Sequence, residues 1–362
     1  MKKILITSIG NRVGLAILDS LGPRRAAYRL VGTNSDPTAA NNFLADTTYL
    51  VPPSAQAQAF LARMREILSR EQPDLVLAAR DGDLEGLAIL QTEPAFKNIR
   101  FISPPAAVVE IVRDKYRTYE FARAHGLPFG ESIIDAADLD DLIRRKGLPL
   151  IGKPRSGHGS LGVTVVRTRD QALAVLARGG LMLQEFLDVP ADLDAGLPDL
   201  RLGTPLQYAA GWQRYLSPTA VLDESGQILA SSAVSIVMVA GVETRIAPVE
   251  SAACDAFIRA YAQALGRLGM IGPFNVQCRC LADGSLVGFE INARFYGTIH
   301  SRACLGFDAV GIVLDYFLEG KRPEPLRPLA KPSHVTRSLA DQVVREADVQ
   351  GLASDGEWRP DP

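Results

Sequence analysis

Phe274-Asn-Val-Gln-Cys-Arg-Cys-Leu-Ala-Asp-Gly-Ser-Leu-Val-Gly-Phe-Glu-Ile-Asn-Ala-Arg294 reads as two strands around Asp283-Gly284. Asp-Gly between alternating apolar runs is the strongest short hairpin signal. With Asp283 and Gly284 as the loop residues, Ala282 faces Ser285, Gln277 faces Glu290 and Asn275 faces Asn292. Side chains alternate along a strand, so these four polar groups share one face and Arg294 follows on it. Phe274, Val276, Cys278, Cys280, Val287, Phe289 and Ile291 take the other face, toward a core. A carboxylate beside amide oxygens is a hard-ligand set suited to Mg²⁺ held together with substrate phosphates. A solvated strand face is the competing reading, so the remainder of the chain decides.

The chain has 362 residues, 47% hydrophobic and 22% charged, with a net charge of −2. That length suits two or three domains. The near-neutral charge gives no electrostatic case for nucleic acid or an anionic membrane. No apolar run is long enough for a membrane span. Met1-Lys-Lys-Ile-Leu-Ile-Thr-Ser8 reads as a strand, not a signal peptide, because its apolar run is too short. Four Cys give no disulfide framework, and a reduced, cytoplasmic protein is expected.

Residues 1 to about 112 alternate strand and helix. Strands are expected at 4–8, 30–34, 48–51, 75–79 and 99–102. Gly10-Asn-Arg-Val-Gly14 reads as a tight turn before a helix from Leu15 to Leu21. Ala57–Glu71 carries Phe60, Leu61, Met64, Ile67 and Leu68 at helical spacing. Continuous apolar strands between helices predict a parallel, doubly wound sheet. Such sheets bind ligands at the carboxyl ends of their strands, where Gly10, Asn11, Arg12, Asp36, Asp81 and Asp83 fall. Asp36 sits where a dinucleotide-binding protein places its ribose acid. However, Gly-Asn-Arg-Val-Gly lacks the Gly-x-Gly pair that lets backbone approach a pyrophosphate, which argues against that rival.

From Val112 the pattern changes. Asp114-Lys115 opens a helix running to His125, and Gly126-Leu-Pro128 ends it. Leu139–Lys146 is helical, and 148–154 is a strand with Lys153 at its exit. Arg155-Ser-Gly-His-Gly-Ser-Leu-Gly162 lies between that strand and another at 163–166. A glycine-rich loop between strands differs from a Walker loop, yet its backbone N–H groups suit phosphates. Lys115 and Lys153 offer point charges to the same phosphates. A strand at 181–187, an exposed insertion at 188–205, a strand-rich stretch over 207–239 and a helix at 252–268 precede the hairpin. A helix at 312–318 and a Pro-rich tail follow, with a strand or helix expected within 333–345.

Taken in order, these pieces form a series: Asp114-Lys115, Lys153-Pro154, Leu161-Gly-Val163, Leu183-Gln-Glu-Phe186, Gln277 and Glu290-Ile-Asn-Ala-Arg294. The series resembles the ATP-grasp superfamily, in particular members similar to the large subunit of carbamoyl phosphate synthetase, from Met1 to about Gly320. The resemblance implies a mixed α/β and α+β fold. Its parts would be a Rossmann-like N-terminal domain (1–112), a small lid with the glycine loop (113–183), an antiparallel-sheet subdomain with the metal site (184–322) and a tail (323–362). It implies ATP and one or two Mg²⁺, or Mn²⁺, as cofactors.

Residue by residue, the resemblance places Lys115 and Lys153 on the ATP phosphates, under a loop with Ser156, Gly157, His158, Gly159 and Gly162. It places Gln184, Glu185, Phe186 and Leu187 at the adenine, and Gln277, Glu290 and Asn292 on the metal. Arg294, with Lys153, would stabilise the transferred phosphoryl group. The chain departs from the family near Arg214, where an acid is usual, so the ribose contact is unassigned.

The expected reaction joins a small-molecule carboxylate to an amine through an acyl phosphate, releasing ADP and phosphate. Asn11, Arg12, Asp81, Asp83, His300 and Arg302 are the candidates for substrate contact, with Arg12 and Arg302 as a carboxylate clamp. A homodimer is the expected assembly. Two alternatives stay open: a kinase-like or carboxy-phosphate-forming enzyme of the same fold, and a nucleotide sensor with a lapsed site. The intact Gln277, Glu290, Asn292 and Arg294 set argues against the sensor.

Overall fold

Apolar residues on both faces of successive short strands force the N-terminal third into a sheet covered on two sides. β1 (Lys2–Ile6), β2 (Tyr28–Asn34), β3 (Thr47–Leu50), β4 (Leu75–Leu77) and β5 (Arg100–Ile102) are parallel, in the order β3-β2-β1-β4-β5. Along β1, Ile4 and Ile6 enter one core and Leu5 the other. The second core is closed by the helix Ala57–Glu71, whose Phe60, Leu61, Met64, Ile67 and Leu68 are buried at the spacing expected. Burying each such side chain contributes roughly 1.5–3 kcal/mol. The computed structural model describes the chain except residues 158–160, 190–192, 194–199, 207–211, 240–241, 325–332, 339–340 and 361–362.

The turn after β1 differs from the sequence expectation. The helix there is Arg12–Leu21, and Asn11 is its N-cap, accepting from the backbone of Val13 and Gly14 at 2.7 and 2.8 Å. The cap satisfies donors that the first helical turn otherwise leaves unpaired. A Cβ at Gly14 would lie 2.3 Å from the Ile9 carbonyl, so only glycine lets the helix start this close to the strand.

The second sheet is antiparallel. It contains β6 (Ser132–Ile133), β7 (Leu150–Pro154), β8 (Thr164–Val166), β9 (Leu181–Glu185) and β10 (Thr204–Pro205), in the order β10-β8-β7-β9-β6. The helices Leu139–Lys146 and Arg169–Ala177 cover it through Leu139, Leu142, Ala172 and Val175. A capping box between Thr168 and Gln171 starts the second of these. It therefore begins at Arg169.

The third sheet is also antiparallel. It contains β11 (Trp212–Leu222), β12 (Ile228–Val239), β13 (Val242–Pro248), β14 (Gly272–Cys280), β15 (Leu286–Asn292) and β16 (Val335–Thr336), in the order β15-β14-β11-β12-β13-β16. The helix Ala252–Gly266 packs Phe257, Ile258, Tyr261 and Leu265 onto it. The tail then crosses back. After the helix Glu346–Asp355, β17 (Glu357–Trp358) joins the edge of the parallel sheet, antiparallel to β3. Nothing in the sequence pattern pointed to this strand.

The β14–β15 hairpin pairs Asn275 with Asn292 and Gln277 with Glu290, as the alternation predicts. Its turn is longer than two residues: Cys280 pairs with Leu286, and Leu281 and Ser285 close the loop. A bulge between Gln277 and Cys278 takes up the extra residue. The extra residue is Phe289 on β15, which turns to the polar side with Arg279, the position that alternation along β14 gives that arginine. Phe289 and the exposed Cys280 depart from the expected core face. All four cysteines are free. Among the described residues, no helix is long and apolar enough to cross a membrane.

Candidate active site

The three sheets face one another across a cavity of about 470 Å³, a size usual for small-ligand sites. β7 and β9 supply Lys153, Gln184 and Glu185, and the loop after β7 supplies Ser156 and Gly157. β14 and β15 supply Gln277, Glu290 and Asn292, with Arg294 just beyond. The turns after β1 and β4 supply Asn11, Arg12 and Asp81.

Lys153 points from a strand into this interior because the strand's alternation leaves its ammonium beneath β15. The ammonium donates to Gln184 Oε1 at 2.7 Å and to the Phe289 carbonyl at 3.2 Å. Burial pushes its pKa down to about 7; Glu290 opposes that shift and Lys115 adds to it. Gln184 is fully engaged as an orienting group, since its Nε2 donates to the Gly130 carbonyl and to Ser132 Oγ.

Lys115 is the first residue of the helix Lys115–Ala124, whose N-cap Asp114 accepts from the backbone of Tyr116. Its ammonium donates to the Gly157 carbonyl at 2.7 Å and stands 3.6 Å from Glu290. Asp114 also pairs with Arg155 at the root of the glycine loop. Burial raises the Asp114 pKa, but the hydrogen bonds from Arg155 and from the Tyr116 and Arg117 backbone, with the Arg155 charge, together outweigh it and hold the group below the usual carboxylate range.

Glu290, Gln277 and Asn292 present one carboxylate and two amide oxygens side by side. Among the described residues no cluster of three His, Cys, Asp or Glu side chains could by itself hold a metal. That donor set fits a Mg²⁺ ion completed by nucleotide phosphates rather than an all-protein cage.

Beyond Asn292, two ion pairs join the parallel sheet to the large antiparallel sheet. Arg294 forks onto Asp81, with Nε at 2.9 Å, and also donates to Asn292 Oδ1 at 3.2 Å. Arg12 lies 3.2 Å from Glu243 of β13. Glu243 further accepts from Tyr215 at 3.0 Å and from Arg337 at 2.7 Å. Burial, then Glu243, push the Tyr215 phenol well above its ordinary pKa.

Fifteen of the sequence candidates line the cavity: Asn11, Arg12, Asp81, Lys115, Lys153, Ser156, Gly157, Gln184, Glu185, Phe186, Leu187, Gln277, Glu290, Asn292 and Arg294. Others do not. Asp83 is buried, accepts from Ser8 Oγ at 2.7 Å and has its pKa raised by that burial, so it braces the β1 turn rather than meeting a ligand. Arg302 is fully buried, with its guanidinium on Ser217 and over Tyr296. It therefore cannot clamp a carboxylate alongside Arg12. His300 lies off the cavity, with Nε2 3.5 Å from Cys304 Sγ. Gly162, with φ at +73°, is not among the residues that line the cavity. Asp36 is also absent from the cavity, and Asn34 takes its place. His158 and Gly159 lie outside the described residues.

The sequence reading missed Tyr215, Ser217, Glu243, Tyr296 and Thr298 as cavity residues, while Asn275 lies on the polar hairpin face where alternation puts it. Tyr215 and Ser217 alternate along β11 on the face shared with Gln277 and Glu290, a signal that becomes readable only once the strand order is known.

A family model described as "ATP-grasp in the biosynthetic pathway with Ter operon" matches residues 231–338. The D-alanine–D-alanine ligase of Chromohalobacter salexigens is 29% identical over 183 residues, which cover 45% of this chain and 57% of that one. The carbamoyl phosphate synthase large chain of Methanoregula boonei is 25% identical over 154 residues, 41% of this chain and 14% of its own length. The chain thus spans little more than half of the first relative and a small part of the second.

Among solved structures, N5-carboxyaminoimidazole synthetase from Staphylococcus aureus superposes with a TM-score of 0.69 at 13% identity, covering 98% of this chain and 85% of that one. The biotin carboxylase domain of Hydrogenobacter thermophilus 2-oxoglutarate carboxylase, a dimer with MgADP and bicarbonate, gives 0.64 at 17% identity, covering 90% and 71%. At these identities the likeness establishes the fold.

Proposed function

We propose that this chain, whose fold is the ATP-grasp fold, is an ATP-dependent carboxylate–amine ligase acting on small molecules. One observation carries the reading: Lys115 and Lys153 face Glu290, Asn292 and Arg294 across the same cavity, with Arg12 and Asp81 at its margin. Cations from β7 and from the N-terminus of the helix Lys115–Ala124 thus oppose an oxygen-ligand set on the third sheet. That arrangement suits a polyphosphate between them and an acid substrate next to Arg294.

In this reading Lys115 and Lys153 bind the phosphates, and Ser156 and Gly157 bring backbone N–H groups over them. Glu290, Asn292 and Gln277 would hold Mg²⁺, one ion or two, which neutralises charge on the phosphates when bound. Arg294 orients the substrate carboxylate and balances charge on the transferring phosphoryl group. A carboxylate oxygen attacks the γ-phosphorus and the bond to the β-phosphate oxygen breaks, releasing ADP. An amine nitrogen then attacks the acyl carbon, the C–O bond to phosphate breaks, and the nitrogen loses a proton. Exclusion of water by the loop after β7 preserves the acyl phosphate between the two steps. A cytoplasmic homodimer is part of the same proposal.

The test is ADP release by the purified chain with ATP and Mg²⁺ against amino acids and other small carboxylates, singly and in pairs with amines. Release that requires one acid and one amine together is the expected result. Release with an acid alone would replace the ligase by a kinase-like reaction, and absence of nucleotide binding would overturn the reading altogether.

A further inference from the structure

The geometry points to a second anionic group on the substrate, a carboxylate or a phosphate remote from the reacting carboxylate, received by Arg12. This rests on the ligase reading above and extends it to the class of substrate.

Charge at the β13 end of the cavity is unbalanced. Three guanidinium groups, Arg12, Arg302 and Arg337, share the field of one carboxylate, Glu243. Arg337 is the closer partner, at 2.7 Å, and is mostly buried. Arg12 is 55% exposed in its side chain and holds the same carboxylate oxygen at 3.2 Å. An exposed pair of that kind is weak, so a ligand anion can take Arg12 from Glu243 at little cost while Arg337 keeps Glu243 neutralised.

Arg302 adds a charge that water cannot screen. It is fully buried, and no carboxylate among the described residues lies within ion-pairing distance of it. Its Nη1 has no hydrogen-bond partner. Its other nitrogens reach Thr298 Oγ1 at 3.3 Å and Ser217 Oγ at 2.8 Å, and both hydroxyls line the cavity. Ser217 Oγ also pairs with the amide of Asn275 at 2.8 Å, and Asn275 Oδ1 has no partner. If the amide donates to Ser217, the hydroxyl proton remains unused. If the amide is turned, the hydroxyl donates to it and the NH₂ remains unused. Whichever way the amide is turned, the Ser217–Asn275 pair keeps one unused hydrogen and one unused acceptor on residues that line the cavity, and the buried Arg302 cation beside them favours an anionic over a cationic substrate end.

Sheet order sets the separation. Asn292 on β15 is two strands from Ser217 on β11 and four from Glu243 on β13. Adjacent strands are about 4.8 Å apart, so the two anionic groups are separated by roughly 10–19 Å between backbones, less the reach of the side chains. Gly297 lets Arg12 lie close against the backbone, because a Cβ there would be 3.1 Å from the guanidinium.

The test uses the full chain with ADP and Mg²⁺ and measures binding of glutarate, pimelate and suberate against monoacids of the same chain lengths, with phosphonocarboxylates as a separate arm. The wild type should bind the longer diacids about tenfold more tightly than the matched monoacids. Arg12→Met should reduce that ratio to about twofold or less, and Arg12→Lys should restore part of it. The phosphonate arm decides whether the second anion is carboxylate or phosphate. Equal binding of mono- and diacids by the wild type, no binding of any probe, or a ratio unmoved in Arg12→Met would each overturn the proposal. Nucleotide binding is recorded separately, so loss of the ligase reading is distinguishable from loss of this one.

Discussion

Arg294 and Asp81, 213 residues apart, form a forked ion pair across the boundary between the large antiparallel sheet and the parallel sheet. The arginine side chain is 10% exposed and Asp81 is 35% exposed, so the pair sits at the cavity wall. It fixes the direction of the guanidinium that the proposed mechanism needs at the phosphoryl group.

Asp81→Asn keeps the shape and removes the charge. Turnover should fall on the order of 10- to 100-fold, because misaimed catalytic groups cost about that much. Nucleotide affinity should change much less, since Asp81 pairs with Arg294 and the phosphates keep Lys115 and Lys153. Arg294→Ala should lose more, on the order of 10²–10³-fold. Single-turnover ADP formation measures both, and equal losses in nucleotide affinity would contradict the assignment.

Glu290→Ala should abolish turnover while leaving weak ATP binding through Lys115 and Lys153. The same variant should raise the Mg²⁺ concentration needed to saturate nucleotide binding. Chelation of Mg²⁺ should silence the wild type reversibly. Full activity in Glu290→Ala would remove the metal site from these residues.

Lys153 gives a pH signature. Its folded pKa of about 7 lies below the ordinary 10.5 because of burial. Between those values the unfolded chain binds the proton and the folded chain does not, so this group makes stability rise with pH across that window. Nucleotide phosphates favour the charged form. Binding of ATP at a pH above 7 should therefore take up close to one proton, and affinity should weaken as pH rises. Calorimetry in two buffers of different ionisation enthalpy reads the uptake, and Lys153→Met should remove it.

Asp114→Ala removes an N-cap and the Arg155 pair together, and should cost about 1–2 kcal/mol in a denaturant melt. The folded pKa of Asp114 is depressed, so its charge stabilises above the unfolded value of 3.8 and that gain is lost as pH falls through the folded value. The gap between wild type and Asp114→Asn should thus narrow in acid. A gap of constant size would mean that the ion pair contributes nothing.

Much of the site was readable because it lies on local patterns. The alternation in 274–294 put Gln277 opposite Glu290, even though the turn has more residues than its Asp-Gly signal suggests. The bulge at Gln277 and Cys278 absorbs the difference. That bulge has no local signature, so the turn of Phe289 away from the core face was not foreseen. Arg302 reads as a candidate for substrate contact, yet with Ile299 and Ser301 it lies on the buried face of the helix Ile299–Cys304, which packs against the first helix and β13. Glu243 was invisible for a related reason: it meets Arg12 only because β13 lies beside β12 at the far side of the large sheet. Partners that distant in sequence leave no periodic trace.

The strand formed by Glu357 and Trp358 also bears on how the chain is made. Its partner is Tyr49 and Thr48 on β3, and Trp358 lies edge-on to Phe43 at 5.2 Å. During synthesis at about 5–20 residues per second, the β3 edge emerges tens of seconds before the strand that covers it. Until then the nascent parallel sheet exposes a bare edge, the kind that pairs with other chains. A ribosome-bound fragment ending before Glu357 should therefore be the species most prone to chaperone capture.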